Sequence, residues 1–264
     1  RDWYLLPMAA AIWSSSPRDI LEFPAATFLR FSINHRLLQL KGRPQWRSVV
    51  GGGRTYVDKI SASLDLRLNH PVESVSRDDA GVRLVSRGET QRFDAVVFAS
   101  HAPQTLAMLA DADSAERAVL GAFRYQPNRA LLHTDRRFLP RRDSLWSAWN
   151  YMATGDDSRA VCVSYLLNTL QQTPFTTPLM VTLNPADEPA AETVIRSFDY
   201  DHPVFDQEAI DAQARLPSIQ GRNRAWFCGA WCGYGFHEDG LRSALDIIGD
   251  FGVEAPWQRA SQAA

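Results

Sequence analysis

Three scarcities bound this chain first. Among its 264 residues there are only three cysteines. So small and odd a number excludes a disulfide framework and fits a reducing, cytoplasmic setting. Lysine occurs only at Lys41 and Lys59, and the net charge is −2, so no nucleic-acid-binding surface is expected. No uninterrupted apolar run reaches the roughly 18 residues of a membrane span. The N-terminus, Arg1-Asp2-Trp3, has neither Met nor a secretory leader, and it reads as the interior of a helix. Also missing is any Gly-x-Gly-x-x-Gly turn between strand and helix. Gly51-Gly52-Gly53 is contiguous and lacks that spacing. What is present is ordinary for a folded protein. With 45% hydrophobic and 22% charged residues, the chain can bury the core of one large domain or two smaller ones.

Periodicity predicts a mixed α/β (α+β) fold. Trp3–Trp13 is Ala-rich and apolar, a buried helix. Ser14-Ser15-Ser16-Pro17 stops it and starts another, with Ser16 as N-cap, Pro17 in the first turn and Asp19 three residues on. Phe23–Leu40 is a further helical stretch with apolar residues on more than one stripe. Such a helix is either buried core or a lid or lipid-facing element beside an apolar cavity. From Val72 the period changes. Val72 and Val75 open a strand, Asp78–Gly81 turns, Val82–Val85 is a second strand and Arg87–Glu89 turns again. Phe93–Ser100 is a continuous apolar run that suits a parallel strand buried on both faces. Arg129–His133, Leu145–Met152, Ala160–Leu167 and Leu179–Leu183 read as strands of a separate antiparallel sheet. Asp206–Arg215 is a short helix.

The densest signal lies near the end, from Arg224 to Ile248. A short apolar strand meets a glycine-rich turn, and a helix starts at Glu238-Asp239-Gly240. A strand feeding a helix N-terminus gathers outward-pointing N–H groups that favour negative charge. Gly229, Gly233, Gly235 and Gly240 allow close approach of a flat or phosphorylated ligand.

Three blocks in order give this chain its resemblance: Arg43–Val57 with its glycine run, Phe93–Pro103, and Cys228–Ala244. Together they resemble the FAD-dependent amine oxidase-like oxidoreductases, within a bacterial group of predicted NAD/FAD-binding proteins. The resemblance implies FAD as cofactor and an incomplete Rossmann-like FAD-binding layer at residues 42–105 and 222–252. It also implies an antiparallel substrate-binding part with helices at 1–41 and 106–221, and a tail at 253–264. A family member opens with the Gly-x-Gly-x-x-Gly unit, so about 150 further residues, one domain's worth, are expected upstream of Arg1. Ala230 stands where many amine oxidases carry a Glu after the strand glycine. Neither lysine falls in a flavin motif, which argues against strict amine oxidation.

On that resemblance Val72, Ala99, Gly229, Ala230, Trp231, Glu238, Asp239, Gly240 and Leu241 are the cofactor-binding candidates. Glu238 and Asp239 are equally explained as helix caps, and Val72 as a plain strand residue. His237, beside the expected flavin edge, is a candidate acid or base, or a hydrogen-bonding spacer. Trp149, Tyr151 and Phe236 line a substrate pocket or belong to the core. Cys228, Cys232 and His237 lack an evident fourth ligand, so no metal is expected. Two functions follow. One is a flavoenzyme taking a hydride from an amine or an apolar, acyl or lipid-like substrate, with peripheral membrane contact allowed. The other is a non-catalytic substrate-binding fragment without cofactor.

Overall fold

The computed structural model describes residues 1–2, 4–39, 41–42, 44–45, 47–152, 161–171, 173–255 and 257. Trp3, Leu40, Arg43, Trp46, Ala160 and tail residues 256 and 258–264 lie outside them. The fold is α/β and divides into two compact units, residues 1–66 with 125–202 and residues 67–124 with 203–264. Of the segments expected on the cofactor side, 42–66 belongs to the first unit; 67–105 and 222–252 belong to the second.

In the first unit, helix α1 (Leu5–Trp13) buries Pro7, Ala9, Ala10, Ala11 and Trp13. The Ser16 hydroxyl accepts from the Asp19 N–H at 3.0 Å, as the capping pattern predicts. It starts only a 3-10 turn, Asp19–Glu22, rather than an α-helix. The next helix, α2 (Ala25–Asn34), is shorter than the apolar stretch predicts. The His35 N–H closes on Phe31 at 3.0 Å and Arg36 enters the left-handed region at φ 52°. Nor is α2 apolar all round. Thr27, Phe31 and Ser32 are buried, while Leu29 and Ile33, one turn apart, are 48% and 63% exposed. Helix α3 (Arg54–Ser61) buries no residue.

The sheet of this unit has five strands in the order β6-β7-β8-β5-β9: β5 (Tyr125–His133), β6 (Trp149–Met152), β7 (Cys162–Leu166), β8 (Met180–Leu183) and β9 (Val194–Pro203). Leu145, expected to open β6, closes a 3-10 turn instead. β9 has no counterpart in the sequence reading. Its apolar alternation is interrupted by Arg196, Asp199 and Asp201, the charges that an edge strand uses to discourage further pairing. Asn150, Ser164 and Thr182 stand opposite one another across β6, β7 and β8. They share the buried face with a core of Phe138, Leu139, Leu166 and Met180. The short helix α6 (Leu167–Leu170) follows β7.

The second unit opens with a three-stranded antiparallel meander, β1 (Val72–Asp78), β2 (Gly81–Ser86) and β3 (Glu89–Phe93). The run 93–100, expected as one strand buried on both faces, is split at Asp94. Phe93 closes β3, and β4 spans only Val96–Phe98, with Val97 45% exposed. β4 does pair in parallel with β10 (Ala225–Phe227), Val96 against Ala225 and Phe98 against Phe227. The rings of Phe98 and Phe227 stack at 5.5 Å. Between these strands in the chain lie α4 (Ala102–Met108), α5 (Ser114–Leu120) and α7 (Gln207–Arg215), the last the expected short helix, with Asp206 as its cap. Beneath the meander, the buried Arg77 side chain forks onto Glu116 at 2.5 and 2.8 Å and onto Asp111 at 3.2 Å. Burial alone would lower the Arg77 pKa. The hydrogen bonds and charges of Glu116 and Asp111 outweigh it and hold the guanidinium above its ordinary value.

Candidate functional site

The C-terminal ends of β4 and β10 lie side by side, and the chain leaves β10 through a tight turn into helix α8 (His237–Ile248). The ends of parallel strands together with a helix N-terminus form the usual ligand-binding edge of an α/β layer. In this structure the edge is built mainly from backbone.

Gly229 is the pivot. Its φ of +146° suits glycine, and a Cβ there would meet the Trp231 indole at 2.8 Å. The following turn folds on itself: the N–H groups of Gly233 and Gly235 both donate to the Ala230 carbonyl, at 3.1 and 3.0 Å. Gly233 makes room for a carboxylate, since a Cβ at that position would lie 2.5 Å from Asp239 Oδ1. The other Asp239 oxygen accepts the Phe236 N–H at 2.9 Å. Asp239 therefore caps α8, and it also adds negative charge where the helix dipole is positive.

Four side chains hold this backbone: Trp231, which the resemblance nominates as a cofactor residue, and Ser243, Gln213 and Gln220, which do not stand out in the sequence as site residues. The buried Ser243 hydroxyl accepts the Gly229 N–H at 2.9 Å and lies 2.8 Å from the Gly240 carbonyl. Gln213 donates to the carbonyls of Trp231 and Gly233 at 2.9 and 2.7 Å. Gln220 clamps Phe227, accepting its N–H at 2.8 Å and donating to its carbonyl at 2.7 Å. Trp231 is 3% exposed; its indole N–H donates to the Ser100 carbonyl at 3.1 Å and its ring meets Phe123 edge-on at 4.6 Å. Among the three residues not nominated, a sequence signal exists only for Ser243, a hydroxyl one turn before Ile247 on the buried face of α8.

The nominated cofactor residues fall as follows. Ala99, Gly229 and Ala230 follow the two strand ends, and Glu238, Asp239, Gly240 and Leu241 occupy the first turns of α8, all in the second unit. Gly240 approaches the turn closely; a Cβ on it would stand 3.6 Å from the Ala230 nitrogen. Ala99 is exposed and Leu241 is 44% exposed, an apolar side chain left in water at the mouth of the edge. His237 is exposed at the first position of α8. Val72 opens the antiparallel meander, a different sheet from the β4–β10 pair. Cys228 and Cys232 are poor nucleophiles. Burial raises the pKa of both, that of Cys232 to about 12.

The nominated substrate residues divide between the units. Phe236 precedes α8 in the second. Trp149 and Tyr151 are alternate residues of β6 in the first, 44% and 41% exposed, on the face opposite Asn150. Trp149 packs edge-on against Tyr165 at 5.3 Å. On β9 the alternate residues Phe198, Tyr200 and His202 form a stacked ladder, with centroids 5.8 and 6.5 Å apart.

A family model described as flavin containing amine oxidoreductase matches residues 23–246. Curated proteins offer no match. Solved structures that share the fold include a conjugated-linoleic-acid-producing fatty acid isomerase from P. acnes (15% identity, TM-score 0.54, 76% of this chain and 52% of that one). Another is a putative protoporphyrinogen oxidase from Exiguobacterium sp. (14%, TM-score 0.58, 93% and 62%). A third is a putrescine oxidase redesigned in its cofactor binding (14%, TM-score 0.52, 76% and 53%). The chain thus spans between half and two thirds of the length of these structures.

Proposed function

Starting from a chain that belongs to the flavin-containing amine oxidoreductase family, we propose that it forms part of an FAD-dependent oxidoreductase that accepts a hydride from an amine or an apolar, acyl-type substrate. The observation that carries the reading is the edge formed by the ends of β4 and β10 and the start of α8. Its donor set fits the cofactor. Backbone amides and the positive end of a helix dipole suit an aromatic ring system whose edge gains negative charge. A glycine at position 240 keeps side chains off the turn, and the exposed Leu241 offers an apolar contact.

In this reading the backbone of Ala99, Gly229, Ala230, Gly240 and Leu241 would hold the ring system, and Glu238 would bond polyol hydroxyls. Bound FAD supplies the hydride acceptor. The protein's own residues orient and exclude water. Gly229 is fixed by Ser243 and the 230–235 turn by Gln213. His237 is the candidate proton carrier, and Trp149, Tyr151 and Phe236 are the candidate substrate contacts. A reducing, cytoplasmic setting fits three cysteines that form no disulfide.

The test compares two variants of the protein in its complete form. Gly240→Val places a β-branched side chain over the Ala230 backbone and blocks the amides there. Loss of one or two such contacts, at about 1–1.5 kcal/mol each, weakens flavin binding roughly tenfold or more. His237→Ala keeps the flavin absorption and slows turnover. Full flavin retention in Gly240→Val removes the cofactor from this edge. A purified wild-type protein without flavin absorption supports the alternative, a substrate-binding module without redox chemistry.

A further inference from the structure

The structure places a glutamine where the packing of α7 calls for an apolar side chain. Ala209 and Ala212 of this helix and Leu216 at its C-cap are buried. With Gln213 they form a stripe spaced i, i+3, i+4, i+7. An alanine, leucine or methionine would continue that stripe with no polar atom to satisfy. A half-buried amide at this position costs free energy unless its hydrogen bonds are made. Gln213 makes them to the glycine turn after β10, its Nε2 donating to the Trp231 carbonyl at 2.9 Å and to the Gly233 carbonyl at 2.7 Å.

Those two bonds decide how the turn faces. Its peptides are trans, so each carbonyl points opposite to the N–H that follows it. With the carbonyls of Trp231 and Gly233 turned toward α7, the N–H groups of Cys232 and Tyr234 are turned away from it. The N–H groups of Gly233 and Gly235 close instead on the Ala230 carbonyl, at 3.1 and 3.0 Å. The backbone alone does not impose this arrangement, because Gly233 and Gly235 admit conformations closed to other residues. The helix that carries Gln213 is itself fixed. Asp206 caps it, accepting the Ala209 N–H at 2.9 Å and pairing with Arg124 at 2.5 Å. Arg215 reaches the Ala118 carbonyl at 3.4 Å. The buried Phe205 ring, just before the helix, lies 2.9 Å from where a Cβ on Gly235 would stand.

We infer that Gln213 is a positioning residue for the candidate flavin edge. It acts through the carbonyls of Trp231 and Gly233, holding the 231–235 backbone in the arrangement that leads Phe236 and the first turn of α8 to the ligand. Its role rests on the flavin reading of this edge, in which the ordered turn is the form that binds FAD.

The experiment titrates FAD into the flavin-free protein in its complete form and follows hydrogen exchange in the same variants. Gln213→Met keeps the length and the apolar stem and deletes both donors. A binding-competent turn populated about a tenth of the time binds about tenfold more weakly. The variant should therefore lose about tenfold in FAD affinity. Exchange at Gly233 and Gly235 should quicken by about the same factor while exchange in α7 and β10 stays at wild-type rates. Gln213→Lys returns donors at a similar reach and should restore both readouts. Gln207→Met removes an exposed amide of the same helix, bonded to Asp211 at 2.8 Å, and should change neither. Wild-type FAD affinity in Gln213→Met, faster exchange spread evenly through α7 and β10, an equal loss in Gln207→Met, or failure of Gln213→Lys to restore binding overturns the assignment while the flavin reading stands. A wild-type protein that takes up no FAD overturns the flavin reading itself, and the assignment with it.

Discussion

The two units keep their polar groups in opposite ways. The five-stranded sheet of the first unit buries side-chain polarity. His133 Nε2 lies 2.7 Å from the Thr182 hydroxyl, which lies 2.7 Å from the Ser164 hydroxyl. Asn150 then donates to the Ser164 carbonyl at 3.3 Å. Because His133 Nδ1 accepts the Asp135 N–H at 3.1 Å, the ring is neutral with its proton on Nε2, directed at Thr182. The second unit does the reverse at its candidate edge, where the polarity is backbone and the side chains serve to hold it. Among the described residues, its deeply buried charged cluster, Arg77 with Glu116, lies under the meander. A row of buried hydroxyls specifies a register, whereas the edge ties its backbone into a turn about Gly229 and leaves His237 and Glu238 at the start of α8 exposed.

Breaking the ion cluster should have the largest effect. Glu116 is fully buried, and its carboxylate serves both Arg77 and the cap of α5, where it accepts the Asp113 N–H at 2.8 Å. Glu116→Ala leaves the buried Arg77 guanidinium with Asp111 as its one carboxylate and should cost about 3 kcal/mol in urea or thermal unfolding. Replacing both partners, Arg77→Met with Glu116→Leu, should recover much of that, because the penalty comes from the orphaned charge. A loss below 1 kcal/mol for the single variant would mean that water already reaches the pair.

The middle effect tests the polar row through pH. Burial lowers the His133 pKa, and Asp135 only partly opposes this. The unfolded chain therefore binds a proton more readily than the fold does, and stability rises with pH across the window below the ordinary histidine value of about 6.5. Acidification through that window should destabilise by up to about 1.4 kcal/mol per pH unit. The Arg137 hydrogen bonds hold the Asp135 carboxyl well below its usual range, and its contribution is lost only in stronger acid. His133→Phe should flatten the histidine window. It should also cost about 1–3 kcal/mol at neutral pH by leaving Thr182 and the Asp135 N–H short of a partner. An unchanged pH profile in that variant would assign the slope to another group.

These two regions also differ in how far the sequence reveals them. The glycine-rich edge of the second unit is visible as a candidate because glycines mark backbone that can approach something closely, and the apolar run 93–100 reads as a parallel strand, of which only Val96–Phe98 forms and pairs with β10. The membership of 42–66 in the first unit was not visible, because no composition shift marks Leu66. The row through Asn150, Ser164, Thr182 and His133 was equally hidden. Each residue alone reads as an ordinary polar break in a strand, and only the register brings them into line. β9 was lost for a related reason, its charges masking an apolar alternation. Helices α4 and α5 were lost because their caps, His101 and Asp113, precede runs too short to show a period.

The smallest stability effect sharpens the contrast most. Ser243→Ala removes a single hydroxyl from the buried side of α8, where it accepts the Gly229 N–H and reaches the Gly240 carbonyl. Loss of this bond should cost about 1 kcal/mol, close to the ordinary worth of one hydrogen bond. The fold should hardly register it. The Gly229 amide should, because it loses its acceptor at the place where β10 passes into the turn. Hydrogen exchange at Gly229 should therefore quicken about fivefold while exchange in β7 and β8 stays at wild-type rates, since local opening follows local bonds. If the edge is a preorganised backbone site, flavin occupancy of the complete protein should fall with it by a similar factor. Unchanged exchange at Gly229 would show that the strand end is held by Gln220, Trp231 and the β4 ladder alone. The serine would then be a bystander to an edge that side chains elsewhere already fix.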